Sequence, residues 1–165
     1  MVYKFRIISN ENEKFFRDIE IKKSSTFFEF HQIIQVSVNF DKTQIASFFI
    51  SNNKWEKKEE ITLMDMSDFD KSKAHVMHKT KMSDFVKQKN DKLIYIYDFF
   101  SEREFYIELM NISKPENKIK YPVLANGKGK APKQILGENI PMPDFQEDFE
   151  DDIHLESLDY LGEDL

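Results

Sequence analysis

Residues 93–100, LIYIYDFF, are aromatic or β-branched at nearly every position, the composition of a β-strand. After Ser101 and Glu102 the chain resumes as REFYIELMNIS, residues 103–113, in which apolar and polar side chains alternate. A period of two sends successive side chains to opposite faces of a strand. Two such runs, two residues apart, predict a β-hairpin. No other feature narrows the fold as much, because a hairpin is marginal in water until further strands or a helix cover its apolar face.

Elements that can cover it are legible upstream. Residues 2–8 place Tyr3, Phe5 and Ile7 on one side and Lys4 and Arg6 on the other. Residues 15–22 set Phe15, Arg17, Ile19 and Ile21 against Phe16, Asp18, Glu20 and Lys22, and the polar SNENEK between the two runs predicts a second hairpin. In SSTFFEFHQIIQVSV, Thr26 with Glu29 three residues later forms a capping-box pattern. Phe27, Phe30, Ile34 and Val38 then recur at helical spacing, which predicts a helix from about 26 to 38. IASFFIS, 45–51, reads as a third strand, a fourth lies near Glu59 to Leu63, and KMSDFVKQKN starts a short helix near Ser83. The order β-β-α-β followed by further strands is not βαβ alternation. It predicts an α+β fold, a mainly antiparallel or mixed sheet with one main helix packed across it. The first fifty residues resemble a β-grasp arrangement, a hairpin followed by a helix lying across the sheet.

Charge divides the chain in a way the strand pattern does not. The net charge is −6, yet from Pro141 to Leu165 there are ten acidic residues and no lysine or arginine. The preceding 140 residues hold 24 basic and 20 acidic side chains. The expected organisation is a single domain over 1–140 and an acidic tail over 141–165, partly docked or disordered. Phe145, Phe149 and Ile153 recur in that tail at helical spacing. The near-neutral body lacks the concentrated basic patch of a nucleic-acid binder, so nucleic acid is not the expected partner. There is no cysteine, which excludes disulfides, thiolate metal sites and cysteine nucleophiles. Lys4 and Arg6 interrupt the N-terminus, no apolar run approaches the roughly 20 residues of a span, and the expected location is the cytoplasm.

Candidate chemistry is sparse. YPVLANGKGKAPKQ, 121–134, carries two of the four glycines and three lysines. It invites comparison with a phosphate-cradling loop, but it lacks the four-residue glycine spacing and the Lys-Ser/Thr pair. Asn126-Gly127 is a strong turn dipeptide, and the stretch reads as a stiffened connection between Pro122 and Pro132. HVMH places His75 and His78 at i,i+3, a spacing that shares a helix face, but no third ligand is fixed by spacing and a solvated loop or a frayed helix is the simpler reading. His31 reads as a packed or surface histidine, and Trp55 as a surface anchor or a core residue. There is no nucleophile-elbow pattern. Asp98 ends the apolar strand, and Glu104, Tyr106 and Glu108 share one face of the next. A turn at 100–102 brings Asp98 near Glu104, and paired carboxylates can bind a cation or divide acid and base roles. The alternative, that Asp98 caps the turn through backbone amides, is the favoured one.

Tyr95, Tyr97, Asp98 and Phe99, then Glu108, then Pro122, Gly127, Gly129, Ala131 and Pro132 resemble the ordered motifs of the Ri-plasmid ORF-three-like family, also described as insertion-element passenger proteins. His31, Ile34 and Gln35 resemble its early helix, and the likeness covers most of residues 2–137. The chain departs from the family pattern at Phe100, Ser101, Arg103 and Phe105, where the family has Gly-Asp and then Trp and His, and at Lys133 and Gln134, where it has an acidic pair. The resemblance implies an α+β fold and no established activity. The expected function is therefore a non-enzymatic binding or interaction module. Its expected binding residues are Tyr95, Tyr97, Asp98, Glu104, Glu108, Lys128 and Lys130. No cofactor and no metal are expected. The partner is an unspecified protein or small molecule, and the chain is expected to be a monomer or weak homo-oligomer. Two alternatives stand beside this: a metal-dependent hydrolase using the hairpin carboxylates, and a nucleic-acid accessory protein of a mobile element.

Overall fold

The computed structural model describes residues 1–71 and 75–136. The boundary expected at 140 and the acidic tail from 141 lie outside the described residues. The chain divides into two compact units, Met1–Gln134 and Ile135–Leu165, and the architecture below is that of the first.

Its elements are β1 (Val2–Ile8), β2 (Phe16–Lys22), α1 (Phe27–Val38), β3 (Ser47–Ser51), β4 (Lys57–Thr62), β5 (His75–Val76), α2 (Met82–Phe85), β6 (Lys92–Asp98), β7 (Arg103–Ser113) and β8 (Val123–Lys128). Among the described residues the eight strands form one sheet in the order β5-β4-β3-β6-β7-β1-β2-β8. Every pairing is antiparallel except the short parallel one between β4 and β5. The fold is thus α+β, with a mixed sheet and one main helix. The expected hairpins 2–22 and 93–113 are both present, with Phe5 opposite Ile19 and Tyr95 opposite Phe105.

The helix forms where its cap directs. Thr26 is extended, the Glu29 backbone N–H donates to Thr26 Oγ1 at 3.2 Å, and the Thr26 N–H reaches Glu29 Oε1 at 3.5 Å. This satisfies donors the first turn would otherwise leave open. Asn39 ends α1 in the left-handed region at φ 55°, and the Phe40 N–H closes back on the Gln35 carbonyl at 2.9 Å. The apolar stripe then meets the sheet. Phe30 stacks on Phe48 at 5.5 Å and packs against Phe5 at 4.8 Å, while Phe27 meets Phe48 edge-on. Phe105 of β7 continues the layer, stacked with Phe15 and Phe40. Phe5, Phe27, Phe30, Phe48 and Phe105 are all fully buried, each stabilising the fold by about 1.5–3 kcal/mol.

Among the described residues the other sheet face carries no helix. Ile94 and Ile96 alternate to that side yet are only 1% and 8% exposed. Phe49 and Tyr106 flank Ile94 across the strands, and Trp55 folds back edge-on to Tyr106 at 5.2 Å.

Two local readings are corrected. Asn126-Gly127 is not a turn: it lies inside β8, which pairs with the outer edge of β2 through a bulge opposite Asp18 and Ile19. The glycines serve close approach instead. A Cβ at Gly127 would sit 2.9 Å from Arg17 Cδ, and Gly129, at φ 79°, would place one 2.6 Å from the Lys14 carbonyl oxygen. His75 and His78 do not share a helix. His75 is in β5 and His78 in a 3-10 turn, Met77–Lys79.

Thr26→Ala should destabilise the chain by about 1 kcal/mol, and Phe105→Ala by about 3–5 kcal/mol. Urea unfolding followed by circular dichroism checks both. Equal losses would contradict the full burial of Phe105 in the aromatic layer.

Candidate functional site

The expected site residues fall into four places. Tyr97 and Asp98 end β6 beside Arg103, the first residue of β7. Arg103 stands in register with Phe105, Ile107 and Leu109, the apolar face of its strand, and is only 7% exposed. Its guanidinium donates to Glu11 through Nε at 3.1 Å and Nη2 at 2.9 Å, and to Asp98 Oδ2 through Nη1 at 3.4 Å. It also donates to the carbonyls of Lys133 at 2.5 Å and Gln134 at 3.2 Å. All five guanidinium donors are engaged. The Tyr97 hydroxyl donates to Glu11 Oε2 at 3.1 Å. Burial alone lowers the Arg103 pKa, but the Glu11 hydrogen bond and the neighbouring charges outweigh it and the net direction is up. Burial likewise pushes the Tyr97 hydroxyl upward. Glu11 and Arg103 were missed by sequence reasoning. The available signal was a charged residue in the apolar register of an alternating strand.

Asp98 does not face Glu104. A bulge between Ile96 and Asp98 shifts the register, so Arg103 stands opposite Asp98 and Ile96 opposite Glu104. The turn accommodates this with Glu102 in the left-handed region at φ 53°. Asp98 Oδ1 accepts the Ser101 backbone N–H at 3.2 Å. Glu104 and Glu108 lie on the open sheet face, each with its own cation: Lys57 Nζ is 2.9 Å from Glu104 and Lys92 Nζ is 2.9 Å from Glu108. Glu104 Oε2 accepts no well-directed hydrogen bond, and the Lys57 charge compensates it. Among the described residues no group of three His, Asp or Glu converges as a metal-ligand set.

Tyr95 is in the core, 1% exposed. Its hydroxyl lies 2.8 Å from Nδ1 of His31, itself 2% exposed. Burial lowers the His31 pKa to about 4 and raises that of Tyr95. Lys128 and Lys130 are exposed, in and just after β8.

A concave site exists beside the hairpin turn. Ile45, Ser47, Thr62, Met64, Met66 and Phe99 line most of a cleft of about 270 Å³ at the ends of β3 and β4. Ile45 is 54% exposed, Met64 60% and Phe99 41%. Among the described residues no helix is long and apolar enough to cross a membrane.

A family model described as plasmid pRiA4b ORF-3-like protein matches residues 1–163. A crystal structure of a protein of unknown function from Methanosarcina mazei Go1 aligns with a TM-score of 0.62 and 22% identity, covering 76% of this chain and 68% of that chain. At that identity the likeness is one of fold. The comparison with curated proteins gave no match.

Two outcomes follow from these groups. Arg103→Lys removes the planar fork that serves two carboxylates and two carbonyls. Lysine keeps the charge but cannot serve all these acceptors, so stability should fall by about 1–3 kcal/mol, the scale of leaving buried hydrogen-bond groups unpaired, measured by urea unfolding. A loss near zero would mean the cluster is solvated. For His31, the unfolded chain binds more protons than the folded chain between the folded pKa of about 4 and the ordinary value of about 6.5. Its contribution is therefore complete above about pH 6.5 and falls by up to about 1.4 kcal/mol per pH unit on acidification towards pH 4. His31→Gln should flatten that part of the stability–pH curve. An unchanged curve would place the acid sensitivity elsewhere.

Proposed function

Starting from a chain that belongs to the plasmid pRiA4b ORF-3-like family, we propose a non-enzymatic binding module that takes a large apolar side chain of a protein partner into the cleft beside the β6–β7 turn. Family and fold carry no reaction with them, so the site has to supply the reading. The observation that supports it is the cleft itself, where three large hydrophobic residues are exposed around one concavity. Exposed apolar surface gathered at one place is the usual mark of an interaction site. A volume of about 270 Å³ lies just below the roughly 300–1,000 Å³ typical of small-molecule pockets. It suits one inserted side chain better than a whole cofactor. Met64 and Met66 give the wall an unbranched, polarizable surface that adapts to what enters.

The alternatives have less support. A hydrolase built on Asp98, Glu104 and Glu108 needs carboxylates that converge, and each of these faces a separate cation. A nucleic-acid face needs cations free to meet phosphate. On the open sheet face, Arg6 is held bidentately by Asp18, and Lys57 and Lys92 by glutamates.

N-acetyl-tryptophan amide is a suitable probe. Titrated into the full chain, it should shift backbone NMR signals of residues 45–47, 62–66 and 99. Met64→Asp, at an exposed position, should weaken that response about tenfold, equivalent to about 1.4 kcal/mol. Shifts centred elsewhere, or a Met64→Asp variant that responds as the parent does, would overturn the reading.

A further inference from the structure

The other end of the sheet carries a second surface, and its argument is independent of the cleft. β8 is the terminal strand. β2 pairs with one of its edges, and among the described residues no strand pairs with the other. It is exposed from Leu124 to Lys128. A strand so placed presents backbone N–H and C=O groups in a row, ready to pair with another extended chain.

Charge selects which chain. Residues 114–133 hold six lysines and a single acid, Glu116. Among the described residues, Lys128 and Lys130 have no acidic partner. Lysines on an edge also deter pairing between like edges, so lysines alone would argue only for solubility. The concavity beside β8 adds a different feature. It measures about 480 Å³ and is lined by Arg17, Ser37, Leu124, Asn126, Lys128 and the two glycines 127 and 129. Arg17, one of its lining residues, is anchored by backbone carbonyls. Its Nε donates to the Ser37 carbonyl at 3.0 Å, near the C-terminal end of α1. Its Nη1 donates to the carbonyls of Phe16 at 2.9 Å, Lys128 at 3.0 Å and Gly129 at 3.1 Å.

Arg103 spends every donor, but Arg17 does not. Among the described residues Arg17 Nη2 has no hydrogen-bond partner and Arg17 has no carboxylate. The missing Cβ at Gly127 lets the Arg17 side chain lie against β8, its Cδ 2.9 Å from where a Cβ would sit. A fixed guanidinium with an unspent edge, beside an unpaired strand edge in a lysine-rich segment, matches an extended chain bearing carboxylates.

We propose that β8 is an interaction edge that receives an acidic, extended segment of a partner protein as an added strand. Its main chain pairs with β8, one carboxylate reaches Arg17 Nη2, and others lie along Lys128 and Lys130. Bulk phosphate or nucleic acid could use the lysines but not the strand edge, and this separates the classes.

The test uses the full chain and a capped ten-residue peptide alternating Glu and Val. Fluorescence polarisation reads affinity, and amide hydrogen exchange reads the edge. The expected result is binding with new protection confined to the β8 amides within 123–128. Affinity should fall about tenfold in Lys128→Glu/Lys130→Glu, and it should also fall as salt rises from about 50 to about 300 mM. Both substitutions are at exposed positions, and thermal melting of the double variant confirms its fold. The salt series on the parent chain gives the charge test without any substitution. Equal binding of a Lys–Val peptide would overturn the proposal by removing charge selection. Binding without protection at β8 would overturn strand addition. Tighter binding of a single-stranded oligonucleotide than of the peptide would replace the acidic strand with a general polyanion surface.

Discussion

The structure depends on one contact layer: the apolar face of α1 laid on the inward residues of β1, β3, β6 and β7. Phe30 is its centre, touching Phe5 from one strand and Phe48 from another. Tyr95 and Phe105 extend it from β6 and β7. Neither partner is stable alone. A twelve-residue helix is about the marginal length for water, and isolated hairpins are marginal too. Burying both in one aromatic layer makes the fold cooperative. The same burial explains His31. Its ring lies inside this layer against Tyr95, so its proton is disfavoured there.

Charges do their structural work around that layer in two distinct ways. On the open face, ion pairs run between neighbouring strands and, for Lys57 of β4 and Glu104 of β7, over the two strands between them. Arg6 meets Asp18, Lys92 meets Glu108, and Lys57 meets Glu104. Each pair has one largely buried member, Asp18, Lys92 or Glu104, and together they occupy the charges that would otherwise suggest catalysis or phosphate binding. The two buried-side arginines are organised differently. Arg103 ties Glu11, Asp98 and the carbonyls of 133 and 134 into a saturated cluster at one end of the sheet. Arg17 ties the end of α1 to β2 and β8.

Most of the fold was legible because its strands and helix each bury one face, and a buried face leaves a period. The capping box at Thr26 and Glu29 marked the helix start to within a residue. The alternation from Arg103 to Ser113 gave the bounds of β7. β8 was not legible for a physical reason. It is an edge strand, exposed from Leu124 to Lys128, so it has no apolar alternation to show. Asn126-Gly127 therefore reads as a turn. The pairing of Asp98 with Glu104 failed on a bulge. A one-residue shift changes which side chains meet across a hairpin, and only the paired backbones reveal it. Arg103 carried a visible signal in its inward register. Glu11, 92 positions earlier, carried none, because a residue in a polar loop looks the same whether or not it has a buried partner.

The sequence by itself determined the α+β class, the two hairpins, the capped helix and the absence of thiol chemistry. These rest on local period, cap spacing and residue type. Tertiary structure alone decided that β8 is a strand, that each hairpin carboxylate has its own cation, and that an apolar cleft opens between β3, β4 and the turn at Phe99. Each of these depends on groups far apart in the chain meeting at a distance set by strand pairing and helix packing. No local pattern encodes that distance.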